Sequence, residues 1–120
     1  MSHAKRAKVG ALLVKDNNII SMGWNGTPSG FDNECEITNA DGSLVTKPEV
    51  LHAESNCITK VAQSTQSSLD STMYITISPC MDCAKLIAQS GVKRVVYKDF
   101  YRDKKSLDFL RRCGIIVEKL

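Results

Sequence analysis

The chain has 120 residues, a length that suits one domain, 1–120, with a hydrophobic core of its own. Hydrophobic residues make up 42% and charged residues 24%, which excludes disordered, collagen-like and coiled-coil classes, and no apolar run approaches the ~18 residues of a membrane span. A net charge of +3 suits a small anionic substrate, a weak nucleic-acid contact or a protein that binds neither.

The first ten residues, MSHAKRAKVG, are polar and basic without an apolar stretch, so no signal peptide is expected and the cytoplasm is the expected compartment. Residues 8–14, KVGALLV, are small and branched and predict a buried strand. Asp16, Asn17 and Asn18 supply turn chemistry, and residues 19–24 return as a second strand to close a hairpin. From 25 to 50 there is no periodicity. Gly26, Pro28, Gly30, Asn33, Asn39, Gly42 and Pro48 punctuate a stretch that reads as one long loop, a kind of segment that is usually functional.

Residues 51–63 predict a helix with Cys57, Ile58 and Val61 on an apolar stripe. Glu54 falls on that stripe, where a carboxylate needs a partner. Residues 72–78 alternate, with Met73, Ile75 and Ile77 on one side, and predict a strand that Pro79 ends. A helix over 80–90 follows, carrying Cys80, Cys83, Ala84 and Ile87 in phase and capped by Gly91. A strand at 92–97, a short helix at 106–112 stopped by Gly114 and a strand at 115–117 complete the order. Strands alternating with helices argue a layered α/β sheet, parallel where helices cross over.

Five cysteines and two histidines are available as metal donors. An odd cysteine count without a secretory signal disfavours a disulfide framework. Only Cys80 and Cys83 are closely spaced, as C-x-x-C, which leaves metal binding or thiol redox chemistry as the sharp readings. Two cysteines at the start of a helix point the same way, and the helix N-terminus favours the thiolate that binds metal. With His52 they make three N/S donors, the number a catalytic zinc site needs, because its fourth position stays open to water. Glu54, two residues after His52, is placed to carry that water's proton. Cys57 and Cys113 read as packing and Cys35 as a semi-buried thiol. A thioredoxin-like redox pair leaves Glu54 unexplained, and a closed structural zinc site lacks a fourth ligand. His52-Ala53-Glu54, then 24 residues, then Pro79-Cys80-Met81-Asp82-Cys83 is the H-x-E…P-C-x-x-C pattern of zinc nucleobase deaminases.

The stretch Gly23-Trp24-Asn25-Gly26-Thr27-Pro28-Ser29-Gly30-Phe31, with Asn33-Glu34-Cys35-Glu36 and Ser78 to Lys85 around the cysteines, narrows the pattern. From about residue 8 to 120 the sequence resembles the deoxycytidylate deaminases, with a compact length like that of phage members. The resemblance implies a three-layer cytidine-deaminase-like fold, with a central mixed five-stranded sheet flanked by helices. Family members usually open with a helix before the first strand, and here that helix is expected to be short or absent. The resemblance implies hydrolysis of dCMP to dUMP and ammonia by a zinc-activated hydroxide, with one Zn²⁺ per chain on His52, Cys80 and Cys83 and Glu54 as proton shuttle. It places Asn25 on the sugar 3′-hydroxyl, Ala53 against the base through its backbone, and Tyr101 near the pyrimidine. Arg102, Lys104 and Lys105 form a basic run open to the phosphate. It also implies a homo-hexamer with dCTP as activator and dTTP as inhibitor at a second site formed partly by the glycine-bearing loop, for which Gly26, Gly30, Phe31, Asp32 and Asn33 are the candidates with Mg²⁺, and Lys5 and Arg6, just before the first strand, are candidate phosphate partners. No membrane or nucleic-acid partner is expected, and a viral member would work in the host cytoplasm. A tRNA adenosine deaminase or a non-catalytic zinc-binding module are the alternative readings. Free-nucleoside cytidine deaminases usually carry Cys where His52 stands.

Overall fold

The computed structural model describes residues 9–25, 36–38, 44–46, 52–100 and 104–120. Strand β1 (Gly10–Lys15) turns directly into β2 (Asn18–Trp24). The two-residue connection needs left-handed backbone at both positions, and Asp16 (φ 52°) and Asn17 (φ 63°) are residue types that tolerate it. The pairing slips between Leu13↔Ser21 and Val14↔Ile19, so one extra residue bulges β2.

Two short strands, β3 (Glu36–Thr38) and β4 (Leu44–Thr46), pair antiparallel as a separate ribbon. They lie inside the stretch expected to be one loop. Runs of three residues, EIT and LVT, are too brief for alternation to show in sequence. Helix α1 (Ala53–Ala62), β5 (Thr72–Ile77), α2 (Met81–Gln89), β6 (Arg94–Asp99), α3 (Lys105–Arg112) and β7 (Ile116–Lys119) follow. Gly91 and Gly114, at φ 83° and 84°, end α2 and α3 as their sequence positions predict.

The main sheet runs β2-β1-β5-β6-β7. Its hairpin half is antiparallel, and β5, β6 and β7 are parallel because α2 and α3 cross over between them. This is the expected five-stranded mixed sheet flanked by helices. The segment before β1, where the opening helix is expected to be short or absent, is residues 1–8 and lies outside the described residues.

One face of the sheet and the helices share one core. Ala11 and Leu13, Met73 and Ile75, Val95 and Tyr97 alternate inward from three adjacent strands. Cys57 and Val61 of α1, Ala84 and Ile87 of α2, and Leu107 and Leu110 of α3 close over them. Each fully buried Leu, Ile or Met contributes roughly 2 kcal/mol by burial. Cys57 packs in this core as expected, whereas Cys113, expected to pack, is exposed at the end of α3. Among the described residues no helix is long and apolar enough to cross a membrane.

Candidate active site

Two helix starts meet at one end of the sheet. His52 is the N-cap of α1 and Cys80 the N-cap of α2. The cap position is extended backbone, so each side chain leaves its helix sideways rather than lying along it. Ser55 Oγ and the Asn56 N–H both donate to the His52 carbonyl, which fixes the backbone from which the imidazole projects. Cys80 was expected in the first helical turn. It sits one position earlier, where its sulfur caps the helix by accepting the Cys83 N–H at 3.5 Å.

His52 Nδ1 lies 3.5 Å from Cys80 Sγ and 3.3 Å from Cys83 Sγ. All three donor atoms lie within 4.8 Å of one another, and among the described residues they are the one such group of metal-donor side chains. Tetrahedral zinc with bonds of about 2.3 Å to sulfur and about 2.05 Å to nitrogen would set nitrogen and sulfur about 3.6 Å apart. The spacing and the soft sulfur/imidazole chemistry of the set therefore fit zinc. The group runs from exposed His52 through half-buried Cys80 to buried Cys83, so one side faces solvent and the other the core.

The electrostatics follow from this crowding. The Cys80 thiol is lowered to about 4, chiefly by hydrogen bonding from Cys83 and then His52, with the Cys83 N–H adding to them. Cys83 is pushed up in turn, first by the neighbouring Cys80 sulfur and then by burial. His52 is held above its usual range by its hydrogen bond to Cys80. The pair thus holds one ready thiolate, on Cys80, at the positive end of α2.

Glu54 is the second residue of α1 and is 4% exposed. Burial raises its pKa, and the Cys80 sulfur acts in the same direction. The carboxyl that the sequence left without a partner stands among His52, Cys80 and Cys83, each of which acts on its charge. Such a carboxyl changes protonation state closer to neutral pH than an exposed one, as proton transfer requires. Ala53, 1% exposed, opens α1, and the first-turn N–H groups of a helix have no intrahelical acceptor.

Asn25 follows β2 directly. Its Oδ1 accepts the Val9 N–H at 3.3 Å and its N–H donates to the Val9 carbonyl at 3.3 Å, so it is tied to the entrance of β1. Lys104 and Lys105 are exposed at the start of α3. Tyr101, Arg102, Lys5, Arg6, Gly26, Gly30, Phe31, Asp32 and Asn33 lie outside the described residues.

Sequence reasoning missed the seam that sets α1 on β2. A Cβ on Gly23 would stand 2.6 Å from Cys57 N and 2.7 Å from Ala53 O, so only glycine allows this approach. Side chains lace the seam: Ser21 Oγ donates to the Cys57 carbonyl at 2.8 Å, Asn56 Nδ2 to the Trp24 carbonyl at 2.9 Å, and Lys60 Nζ to the Met22 carbonyl at 3.0 Å. The glycine before Trp24 is the one sequence signal for it.

Residues 1–99 match the family described as the cytidine and deoxycytidylate deaminase zinc-binding region. The deoxycytidylate deaminase of Enterobacteria phage T4 is 36% identical over 149 aligned residues, covering 92% of this chain and 77% of that protein. The human deoxycytidylate deaminase is 37% identical over 81% of this chain and 56% of its own length. The crystal structure of a dCMP deaminase from cyanophage S-TIM5, in complex with dCMP and dUMP, superposes with a TM-score of 0.90 at 51% identity. It covers 99% of this chain and 85% of that chain.

Proposed function

The chain belongs to the cytidine and deoxycytidylate deaminase family and is a zinc-dependent deaminase, and from that premise we propose that its substrate is dCMP, hydrolysed to dUMP and ammonia. The observation that supports this most strongly is the His52, Cys80 and Cys83 donor group with buried Glu54 beside it. The 51% identity to a dCMP-bound enzyme points to the nucleotide rather than another aminated base.

In this reading His52, Cys80 and Cys83 hold one zinc ion. When bound, zinc supplies Lewis acidity that brings water toward ionisation near pH 7. Glu54 accepts the proton that water gives up and delivers it to N3 of the cytosine ring. The water oxygen bonds to C4 as N3 takes that proton. Glu54 then carries the remaining proton of the added hydroxyl to the exocyclic nitrogen at C4, so that the C4–N bond breaks as ammonia and the C4–O bond becomes the carbonyl of dUMP. The two transfers use one carboxyl in both directions, which suits a group whose protonation is balanced by burial. The Ala53 backbone presents hydrogen-bonding groups to the base, Asn25 holds the 3′-hydroxyl and Tyr101 packs near the pyrimidine. Burial of Glu54 strengthens each of these charge interactions.

We take residues 1–120 as one catalytic domain that assembles as a homo-hexamer. We also propose that dCTP and dTTP, with Mg²⁺, compete at a regulatory site drawn from Lys5, Arg6, Gly26, Gly30, Phe31, Asp32 and Asn33. The support for assembly and regulation is the sequence resemblance. Saturation curves for dCMP with and without each triphosphate test the regulation, and sedimentation tests the hexamer.

The substrate reading is tested by ammonia release from dCMP, cytidine, dCTP and an adenosine-bearing RNA, side by side. dCMP is expected to be turned over with the highest kcat/KM. Preference for the RNA would move the chain to the nucleic-acid deaminases, and turnover of none would leave a zinc-binding module.

A further inference from the structure

The reaction needs two parts of the molecule in register: the start of α1, which carries His52 and Glu54, and the end of β2, which leads into Asn25. They are distant in sequence, and of the side chains lacing α1 to β2 Asn56 is the one that bonds the Trp24 backbone. It lies one turn after His52, to whose carbonyl its own N–H donates at 2.9 Å. Its side-chain amide reaches across the seam and donates to the Trp24 carbonyl at 2.9 Å from a half-buried position. Trp24 precedes Asn25, whose backbone and side chain are both tied to Val9 on the other side. The end of β2 is therefore held from β1 through Asn25 and from α1 through Asn56. Gly23 leaves no slack in between, because the α1 backbone at Ala53 and Cys57 stands where even a Cβ on it would collide.

We propose that Asn56 is a positioning residue for substrate binding, setting the Trp24–Asn25 backbone at a fixed distance from Glu54. This rests on the reading that the enzyme acts on dCMP and that Asn25 contacts its sugar. Asn56 itself touches neither substrate nor metal. Its amide is the donor, so an isosteric acid at this position keeps the shape and loses the bond. A neighbouring bond of the same seam, from Ser21 Oγ to the Cys57 carbonyl at 2.8 Å, joins the same two elements without involving the Trp24–Asn25 segment. It provides the control for general loosening.

The experiment is steady-state kinetics on dCMP for the zinc-loaded wild type, Asn56→Asp, Asn56→Ala and Ser21→Ala, with zinc content and melting temperature measured on each. Both Asn56 variants are expected to keep one zinc per chain and to raise KM for dCMP about tenfold with kcat within a factor of about three. Tenfold corresponds to about 1.4 kcal/mol, the scale of one hydrogen bond. Ser21→Ala is expected to lower the melting temperature with KM unchanged. Unchanged KM in Asn56→Asp, an equal rise in KM in Ser21→Ala, or a fall in kcat alone would overturn the positioning role. A wild type inactive on dCMP but active on another base would instead overturn the substrate reading, and this proposal with it.

Discussion

Glu54 and the three metal donors lie within a few residues of two helix starts, yet they answer to different tests. Replacing Glu54 by Gln keeps shape and burial and removes the titrating group. Glu54→Gln should therefore retain zinc and fold while deamination falls by ~10²–10⁴-fold, since both proton transfers of the proposed mechanism use this carboxyl. A variant that still turned over at a tenth of the normal rate would assign the shuttle to another residue. The donors should respond to pH instead. His52 is held above its usual range by Cys80, so in the metal-free protein its protonated, non-ligating form persists further up the pH scale. Cys83 is also raised and must lose its proton to bind metal, whereas Cys80, lowered to about 4, remains thiolate through the neutral range. Protons thus compete with zinc at His52 and Cys83 and not at Cys80. Zinc affinity, measured against a competing chelator, should fall steadily as pH is lowered from about 8 to about 5. Affinity independent of pH across that window would show that the donors are already deprotonated without metal.

At the scale of elements, the active-site helix owes its position to a strand beneath it. Gly23→Ala would drive a Cβ to 2.6 Å from Cys57 N, a backbone atom that cannot rotate away, so α1 must shift as a unit. The expected cost is about 2–3 kcal/mol, with kcat/KM for dCMP lowered along with the melting temperature. Gly114→Ala supplies the contrast. Its Cβ would meet nothing within 4 Å, so the cost is confined to left-handed backbone at φ 84°, about 1 kcal/mol, with activity unchanged. Equal activity losses in both variants would mean that α1 tolerates displacement. These two glycines also mark what a sequence can and cannot disclose. Gly114 is legible because a helix stop is local chemistry. So are the strand at Met73, Ile75 and Ile77 and the hairpin at Asp16 and Asn17, whose signals lie in consecutive residues. The donors His52, Cys80 and Cys83 are legible because metal chemistry restricts residue type. The role of Gly23 and the reach of Asn56 to Trp24 depend on which element lands on which, and no short-range pattern encodes that. The β3–β4 ribbon is illegible for a different reason: strands of three residues are too short for alternation to show.

Over the whole molecule, the three donors add a second junction, at the helix starts, between parts of the fold that already share the core. Helix α1 is laced to β2 through Ser21, Met22 and Trp24, while α2 crosses over between β5 and β6. His52 and the Cys80–Cys83 pair bring the two helix starts together at their tips, outside the cluster of Leu13, Met73, Val95, Ile87 and Leu110. A ligand held there by the folded chain alone stabilises it by mass action, by ~4 kcal/mol at about a thousand times its dissociation constant. For a chain of this size each kcal/mol moves the melting temperature by roughly 4 °C. Removing zinc with a chelator should therefore lower the melting temperature by about 15 °C and abolish deamination. Far-UV circular dichroism at 25 °C should stay unchanged, because the sheet and its buried face do not pass through the donors. Restoring zinc should return both activity and melting temperature, and Cys83→Ser should resemble the chelated protein whether or not zinc is added. Loss of the far-UV signal on chelation would mean instead that the apolar core cannot hold the sheet alone and that the metal is needed to fold the chain.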